Sequence, residues 1–404
     1  MNEANTAWIL VSTALVLFMT LPGLALFYAG LVGSKNALST LSQCFVIACV
    51  ASIIWFVAGY SIAFSGDGMY FGNLEKMFLS GISLKTIWDD NIPETLFVMF
   101  QMTFAIITPA LIVGAYVERI KFSAVIMITS LWLIAVYSPI THWVWGGGWL
   151  SQMGIMDFAG GLVVHTTAGV SALVIAKMLG PRSGFPSSIK PPHSPVIAMI
   201  GAAMLWVGWF GFNAGSALAA NQNAAMAMLV THISAATATI TWMTIDWFKN
   251  GKPGLVGMIT GMVAGLATVT PASGYIGPIG GLILGISSGV ICYWFVGFVK
   301  NVINIDDTLD VFAVHGVGGI LGTLLCATLA TSYYGGLGDV AEGGIAEQTI
   351  TQLIGVVSVT IYTVILTAII VIITNMLVGL RVTAHEENND GLDLGSHGES
   401  SYHL

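Results

Sequence analysis

Runs of about 20 apolar residues recur along the whole chain, and only 8% of its 404 residues are charged. A soluble domain carries about 25% charged residues. Crossing a bilayer core of about 30 Å takes a helix of about 20 residues. Inside lipid every backbone polar group has to be paired internally. Continuous apolar runs of this length, without a period of two, predict an all-α polytopic membrane protein. The runs fall near 8–32, 40–63, 95–117, 122–142, 159–179, 196–219, 225–247, 255–272, 276–299, 308–331 and 349–380, eleven transmembrane helices in all. Gly, Pro and Trp interrupt the chain near 142–160 and 255–280, so the edges are least defined there.

Basic residues orient these spans. Lys35, Arg119, Lys121, Lys177, Arg182, Lys190, Lys249, Lys252, Lys300 and Arg381 fall in alternate loops or the tail, whereas Lys76 and Lys85 fall on the other side. The positive-inside rule then places the C-terminus in the cytoplasm and, with an odd number of spans, the N-terminus outside. The opening Met-Asn-Glu-Ala-Asn-Thr lacks the basic region of a signal peptide, so either none is made or the chain is in its processed form. The net charge is −8, with Asp67, Glu75, Asp89, Asp90, Asp339, Glu342 and Glu347 in the outer loops. An acidic outer face weakly favours cations. No basic patch is present for nucleic acid. Cys44, Cys49, Cys292 and Cys326 lie in apolar spans without metal-ligand spacing and read as packing thiols.

A repeat organises the chain. Residues 181–195 form a proline-rich cytoplasmic linker between a first five-helix repeat, 1–180, and a second, 196–331. Residues 332–380 hold an external loop and the eleventh helix, and 381–404 a cytoplasmic tail. Sliding Asp157-Phe-Ala-Gly-Gly-Leu-Val-Val-His165-Thr-Thr-Ala-Gly169 by 150 positions puts Asp157 on Asp307, His165 on His315 and Gly169 on Gly319. Phe27-Tyr-Ala-Gly30 likewise resembles Phe212-Asn-Ala-Gly215. Five is odd, so the halves enter the membrane from opposite sides. Inverted repeats of this kind carry a substrate path at their interface near the midplane. The eleventh helix lies outside the repeat. At about 45 Å it is too long for a perpendicular crossing, and is expected either to tilt strongly or to project into the cytoplasm, and to strap the halves together.

An ionisable group in a membrane helix marks a functional site by default. A lone membrane His is often only a helix–helix hydrogen bond, but His165 and His315 stand at equivalent places in a repeated element. They can share a proton, bind a polar guest or ligate haem. Trp143-Val-Trp145-Gly-Gly-Gly-Trp149 precedes Asp157; Trp143 and Trp149 read as interfacial belt, while Trp145 beside a triple glycine can face a cation. Phe100 and Phe104 share one helical face, as do Phe212 and Ser216.

The strings Gln101-Met-Thr-Phe104-Ala, Val-Trp145-Gly-Gly-Gly, Asp157-Phe-Ala-Gly-Gly, Gly-Trp209-Phe-Gly-Phe212-Asn-Ala-Gly-Ser216 and Asp310-Val-Phe-Ala-Val-His315-Gly-Val-Gly-Gly resemble the ammonium transporter (Amt/Mep/Rh) family, most closely its bacterial AmtB-type members. The resemblance covers nearly the whole chain, including Gly391-Leu-Asp-Leu-Gly-Ser-His397-Gly-Glu in the tail. It implies an outer ammonium site of Phe104, Trp145 and Ser216, with Phe100 in the vestibule wall. Phe104 and Phe212 would be stacked gates, and His165 and His315 the twin histidines of an apolar pore. Asp157 would serve structure or cation recruitment, and the motif places Asp310 in a matching role. The related Rhesus proteins lack the outer Trp, so Trp145 puts the chain on the Amt side. The resemblance further implies a homotrimer in a bacterial inner membrane, no enzymatic activity, no cofactor or metal, and a regulatory tail, Arg381–Leu404, that docks a PII-type protein. Methylammonium would be a substrate analogue. On this reading ammonium is recruited outside, loses its proton and crosses as ammonia, with net charge transfer. The alternatives are an ammonium sensor signalling through its tail, and a bis-His haem membrane protein.

Overall fold

The computed structural model describes residues 1–338 and 343–402. The expectations about Asp339, Glu342, His403 and Leu404 lie outside the described residues. Ten described helices are long and apolar enough to cross a membrane. They are α1 (Glu3–Leu31), α2 (Ser34–Phe64), α3 (Glu94–Tyr116), α4 (Phe122–Gln152), α5 (Gly161–Leu179), α6 (Pro195–Gly215), α7 (Gln222–Asn250), α9 (Pro278–Asn301), α10 (Phe312–Leu329) and α11 (Gly344–Leu377). The eighth expected span, α8 (Leu255–Val269), is shorter, at 15 residues. It stops because Pro271 cannot continue the ladder. The irregular backbone beyond it, Thr270–Gly274, is buried in protein, the setting that tolerates such backbone at membrane depth.

The helices of the two halves interlock. α1 packs along α6, α3 against α5, α8 against α10, and α7 between α8 and α9. At the centre, α5 and α10 cross where neither has a side chain. A Cβ on Gly169 would lie 2.2 Å from the Gly316 nitrogen, and one on Gly319 would lie 2.9 Å from His165 Cβ and 3.1 Å from the Thr166 nitrogen. Gly169 thus meets Gly316, and Gly319, 150 positions further on, meets the equivalent Thr166. Reciprocal contacts of this kind define a local two-fold relation. Both helices begin with a π-helical turn, Gly161–Thr166 and Phe312–Gly316, and each turn carries one histidine. Such turns are rare and concentrate at functional sites.

α11 holds the halves together. Its 34 residues give a length of about 51 Å, and it packs on α4, α5 and α10. Gln352 accepts from the Met156 N–H at 2.8 Å and donates to Met156 O at 2.8 Å and Thr323 O at 3.0 Å. One buried amide therefore binds both His-bearing segments.

At the basic end the fold brings together Lys35, Arg119, Lys121, Arg182, Lys300 and Arg381. Arg119, fully buried, donates to the carbonyls of Gly180, Val117, Ala115 and Asp306 and to Thr308 Oγ1. Arg182 pairs with Glu118 at 2.7 Å and Asp306 at 2.9 Å. Burial opposes ionisation of both acids, yet the guanidinium beside them holds both carboxyls below the usual range. The tail is ordered on this face. α12 (Gly391–His397) is docked through Asp393, which accepts from the Leu38 and Ser39 N–H groups and from Ser401 Oγ. His397 packs its ring on Phe122 at 4.9 Å, and Lys35 donates to Glu387 O at 2.9 Å.

The opposite end is closed by a loop that includes a two-stranded ribbon, β1 (Ile87–Trp88) with β2 (Ile92–Pro93), paired antiparallel with Trp88 opposite Ile92. Trp143 and Trp149 sit beneath this loop rather than in a lipid-facing belt. Trp143 is buried, packs on Tyr362 at 4.7 Å and donates to Tyr70 O at 2.8 Å, and Trp149 leans on it at 5.7 Å. The belt expectation fails because α4 runs on through Trp145 and carries both indoles under the loop.

Candidate functional site

Five rings form a column through the centre of the molecule. Trp145, the last residue of a helical segment of α4, is half-buried at the acidic end. Phe104 from α3 meets it edge-on at 5.9 Å, with Phe100 one turn away at 5.0 Å. Phe212 from α6 stacks on Phe104 at 4.3 Å and 22°. His165 lies 6.1 Å beyond Phe212, and His315 lies 5.2 Å from His165 with the two rings within 20° of parallel. Phe104, Phe212 and both histidines are buried. The two Phe rings lie against each other and separate the Trp145 level from the histidines.

The histidines are joined edge to edge. Their Nδ1 atoms are 3.2 Å apart, so one Nδ1 donates and the other accepts. The Nε2 ends then differ, one bearing hydrogen and the other a lone pair. His165 Nε2 is buried with no protein partner, an opening for a polar guest. A haem does not fit this pair. The two Nδ1 atoms face each other within hydrogen-bond distance, which leaves no room for a metal and its macrocycle between them. Among the described residues no cluster of three or more His, Cys, Asp or Glu is placed to hold a metal.

Asp157 does not face the Trp145 ring. Its carboxylate accepts from the N–H groups of Gly160, Gly161, Leu162 and Val163, capping the first turn of α5. Burial raises its affinity for a proton, and those four N–H groups oppose that. Trp145 reaches Asp157 only through the backbone, Nε1 donating to Asp157 O at 2.8 Å. In the second half the cap is Asp307, which accepts from the Phe312 N–H at 2.7 Å. Asp310, the acid stressed by the motif, instead has φ +62° and pairs with Lys300 at 2.7 Å. Ser216 is half-buried, and its Oγ donates to Phe212 O at 2.8 Å, leaving its lone pairs to accept. Gly215 beside it abuts the Phe100 ring.

Two parts of the column were not assigned from sequence. Trp209 stacks on His165 at 5.5 Å and is anchored by Nε1 to Thr270 Oγ1 at 2.9 Å. Its place three residues before Phe212 puts it on the same face of α6 as that ring, a signal that helical spacing offered. Beyond His315 a cavity of about 190 Å³ opens toward the basic end, lined by Phe27, Tyr28, Leu31 and Val314 among others. It joins residues from distant spans, which no local pattern announces.

A model of the Ammonium Transporter Family matches residues 7–402. The chain belongs to the ammonium transporter family. Its relatives include an ammonium transporter of Aquifex aeolicus, 45% identical over all of this chain and 94% of that protein. Among solved structures of ammonium transporters and their kin it is similar to one titled "Sensor Amt Protein", with 30% identity, a TM-score of 0.90 and 98% of each chain covered. The Candida albicans Mep2 structure follows the same course, with 33% identity and a TM-score of 0.86 over 96% of this chain and 88% of that one.

Proposed function

We propose that this protein moves ammonium across a bacterial inner membrane, recruiting the cation outside and conducting ammonia inward. The column from Trp145 through Phe104 and Phe212 to His165 and His315, ending in the cavity beyond, is the observation that carries this reading. An aromatic face attracts a small cation, and the Ser216 oxygen adds an acceptor beside it. Past the stacked Phe gates a bare charge is costly. Releasing the proton costs about 3 kcal/mol, from a gap of about two pKa units. Potassium has no such option, so selectivity follows.

The histidine pair suits a neutral guest. One Nε2–H donates and the other Nε2 accepts, and ammonia does both. The gates open by rotation of the Phe104 and Phe212 rings as the guest passes. The released proton follows, so transport moves net charge. With the basic end in the cytoplasm, Trp145 faces outside and the cavity inside. Family membership supports a homotrimer with one pore per subunit, and the docked tail supports a cytoplasmic landing place for a PII-type protein.

In proteoliposomes, ammonium and methylammonium are expected to drive current and potassium none. His165→Ala combined with His315→Ala abolishes selective uptake and leaves the oligomer intact; undiminished selective uptake by that variant overturns the proposal. A sensor role is a second reading, favoured by the ordered tail. Poor growth on low ammonium after deletion, in a strain without other transporters, supports transport, and normal growth supports the sensor.

A further inference from the structure

His142 lies three residues before Trp145 on α4, fully buried. Its Nδ1 is 3.0 Å from Ala63 O, and its Nε2 is bonded to Gly68 O. Both partners are carbonyls, which only accept. A neutral ring carries one N–H, so the ring donates to one of these carbonyls and packs against the other, the tautomer deciding which. The next two carbonyls of the same loop are also held from this segment. The Trp149 N–H donates to Met69 O at 3.0 Å, and Trp143 Nε1 donates to Tyr70 O at 2.8 Å. Three consecutive carbonyls, Gly68 to Tyr70, are thus tied to residues 142–149.

Trp145 stands inside this brace. The backbone turns back after it, with the Gly146 and Gly148 N–H groups donating to His142 O at 3.0 and 2.9 Å. A Cβ on Gly146 would lie 2.0 Å from Ala63 O and 2.8 Å from His142 Nδ1, so the space admits only glycine. The far edge of the indole is held by Asp157 O. His142 fixes one side of Trp145 and the start of α5 fixes the other.

We infer that His142 is a positioning residue for the entry site: its ring bridges the end of α2 at Ala63 and the outer loop at Gly68, and so sets where Trp145 stands over Phe104. This rests on the reading of Trp145 as part of the cation entry site. The histidine pair lies beyond the Phe gates and is untouched by the brace, so the inference separates affinity from throughput.

The test is methylammonium uptake by the full-length protein in proteoliposomes. His142→Gln keeps a donor but loses the rigid ring that spans the two carbonyls. Its apparent KM is expected to rise about fivefold or more, with Vmax within about twofold. Trp143→Phe keeps the ring and removes one tie of the same brace, and its KM should rise in the same direction by a smaller factor. An unchanged KM in both, or a fall in Vmax at constant KM, overturns the inference. If His142→Gln does not fold, Trp143→Phe decides. If the wild type takes up no methylammonium, the transport reading is what fails. The brace is then judged by ¹⁵N-histidine NMR, with the His142 signal assigned by its loss in His142→Gln. A ring N–H proton protected from solvent exchange supports the brace, and a freely exchanging one overturns it.

Discussion

Asp157 and Asp307 perform the same task at opposite ends of the bundle: each carboxylate takes the free N–H groups at the start of a histidine-bearing helix. Asp307 is the more exposed to pH in energetic terms, for burial and then the neighbouring Asp310 push its carboxyl up to about 7. In the unfolded chain an Asp titrates near 4, about 3.9. Asp307 therefore holds its proton more tightly when folded. Its contribution to stability is full below about pH 4 and is lost as pH rises through about 7. Thermal unfolding in detergent should show Tm falling across that window, and Asp307→Asn should flatten the slope. Glu118 and Asp306 act in the opposite sense, but only at pH below the usual carboxylate range, where their ion pairs with Arg182 are lost. The 150-residue offset made Asp307 visible in the sequence as the partner of Asp157. The motif drew attention to Asp310 instead, because spacing does not say which acid reaches a helix end.

The α5–α10 crossing is the element on which the site depends. Backbone meets backbone there, so even one methyl group has no room to relax. Gly169→Ala should lower Tm sharply, a loss of about 3 kcal/mol or more from forced separation of the helices. Gly297→Ala on α9, whose added Cβ would find its nearest neighbour 3.9 Å away, should leave Tm unchanged. Equal effects of the two would contradict the close-contact account. The glycines and the repeated histidines were legible as a pair of related helices. Their π-helical first turns were not, since nothing in local composition separates a π turn from an α turn. The shortened α8 was legible only as an unclear span, and Pro271 is the reason.

Across the whole molecule the halves interlock through α1 with α6 and α5 with α10, and α11 closes the seam through Gln352. The tail completes the basic end by capping α2 with Asp393 and gripping Glu387 with Arg381 at 2.8 Å. Asp393→Ala should free the tail without unfolding the bundle. Limited proteolysis would then cut after residue 381 far faster than in the wild type, at nearly the same Tm. A tail equally resistant in the variant would show that Asp393 does not hold it. That the tail is polar was readable from its composition. That it folds back onto Asn36, Leu38 and Ser39, more than 350 positions away, was not.

Apolar length and the repeat were sufficient to specify helices in a membrane and to single out two related histidines. These properties follow from the cost of unpaired backbone and charge in lipid, and that cost is paid locally along the chain. The column of rings, the joined Nδ1 atoms, the inner cavity and the seating of Trp145 between His142 and Asp157 all bring together residues from different helices. Only close packing in three dimensions sets those distances.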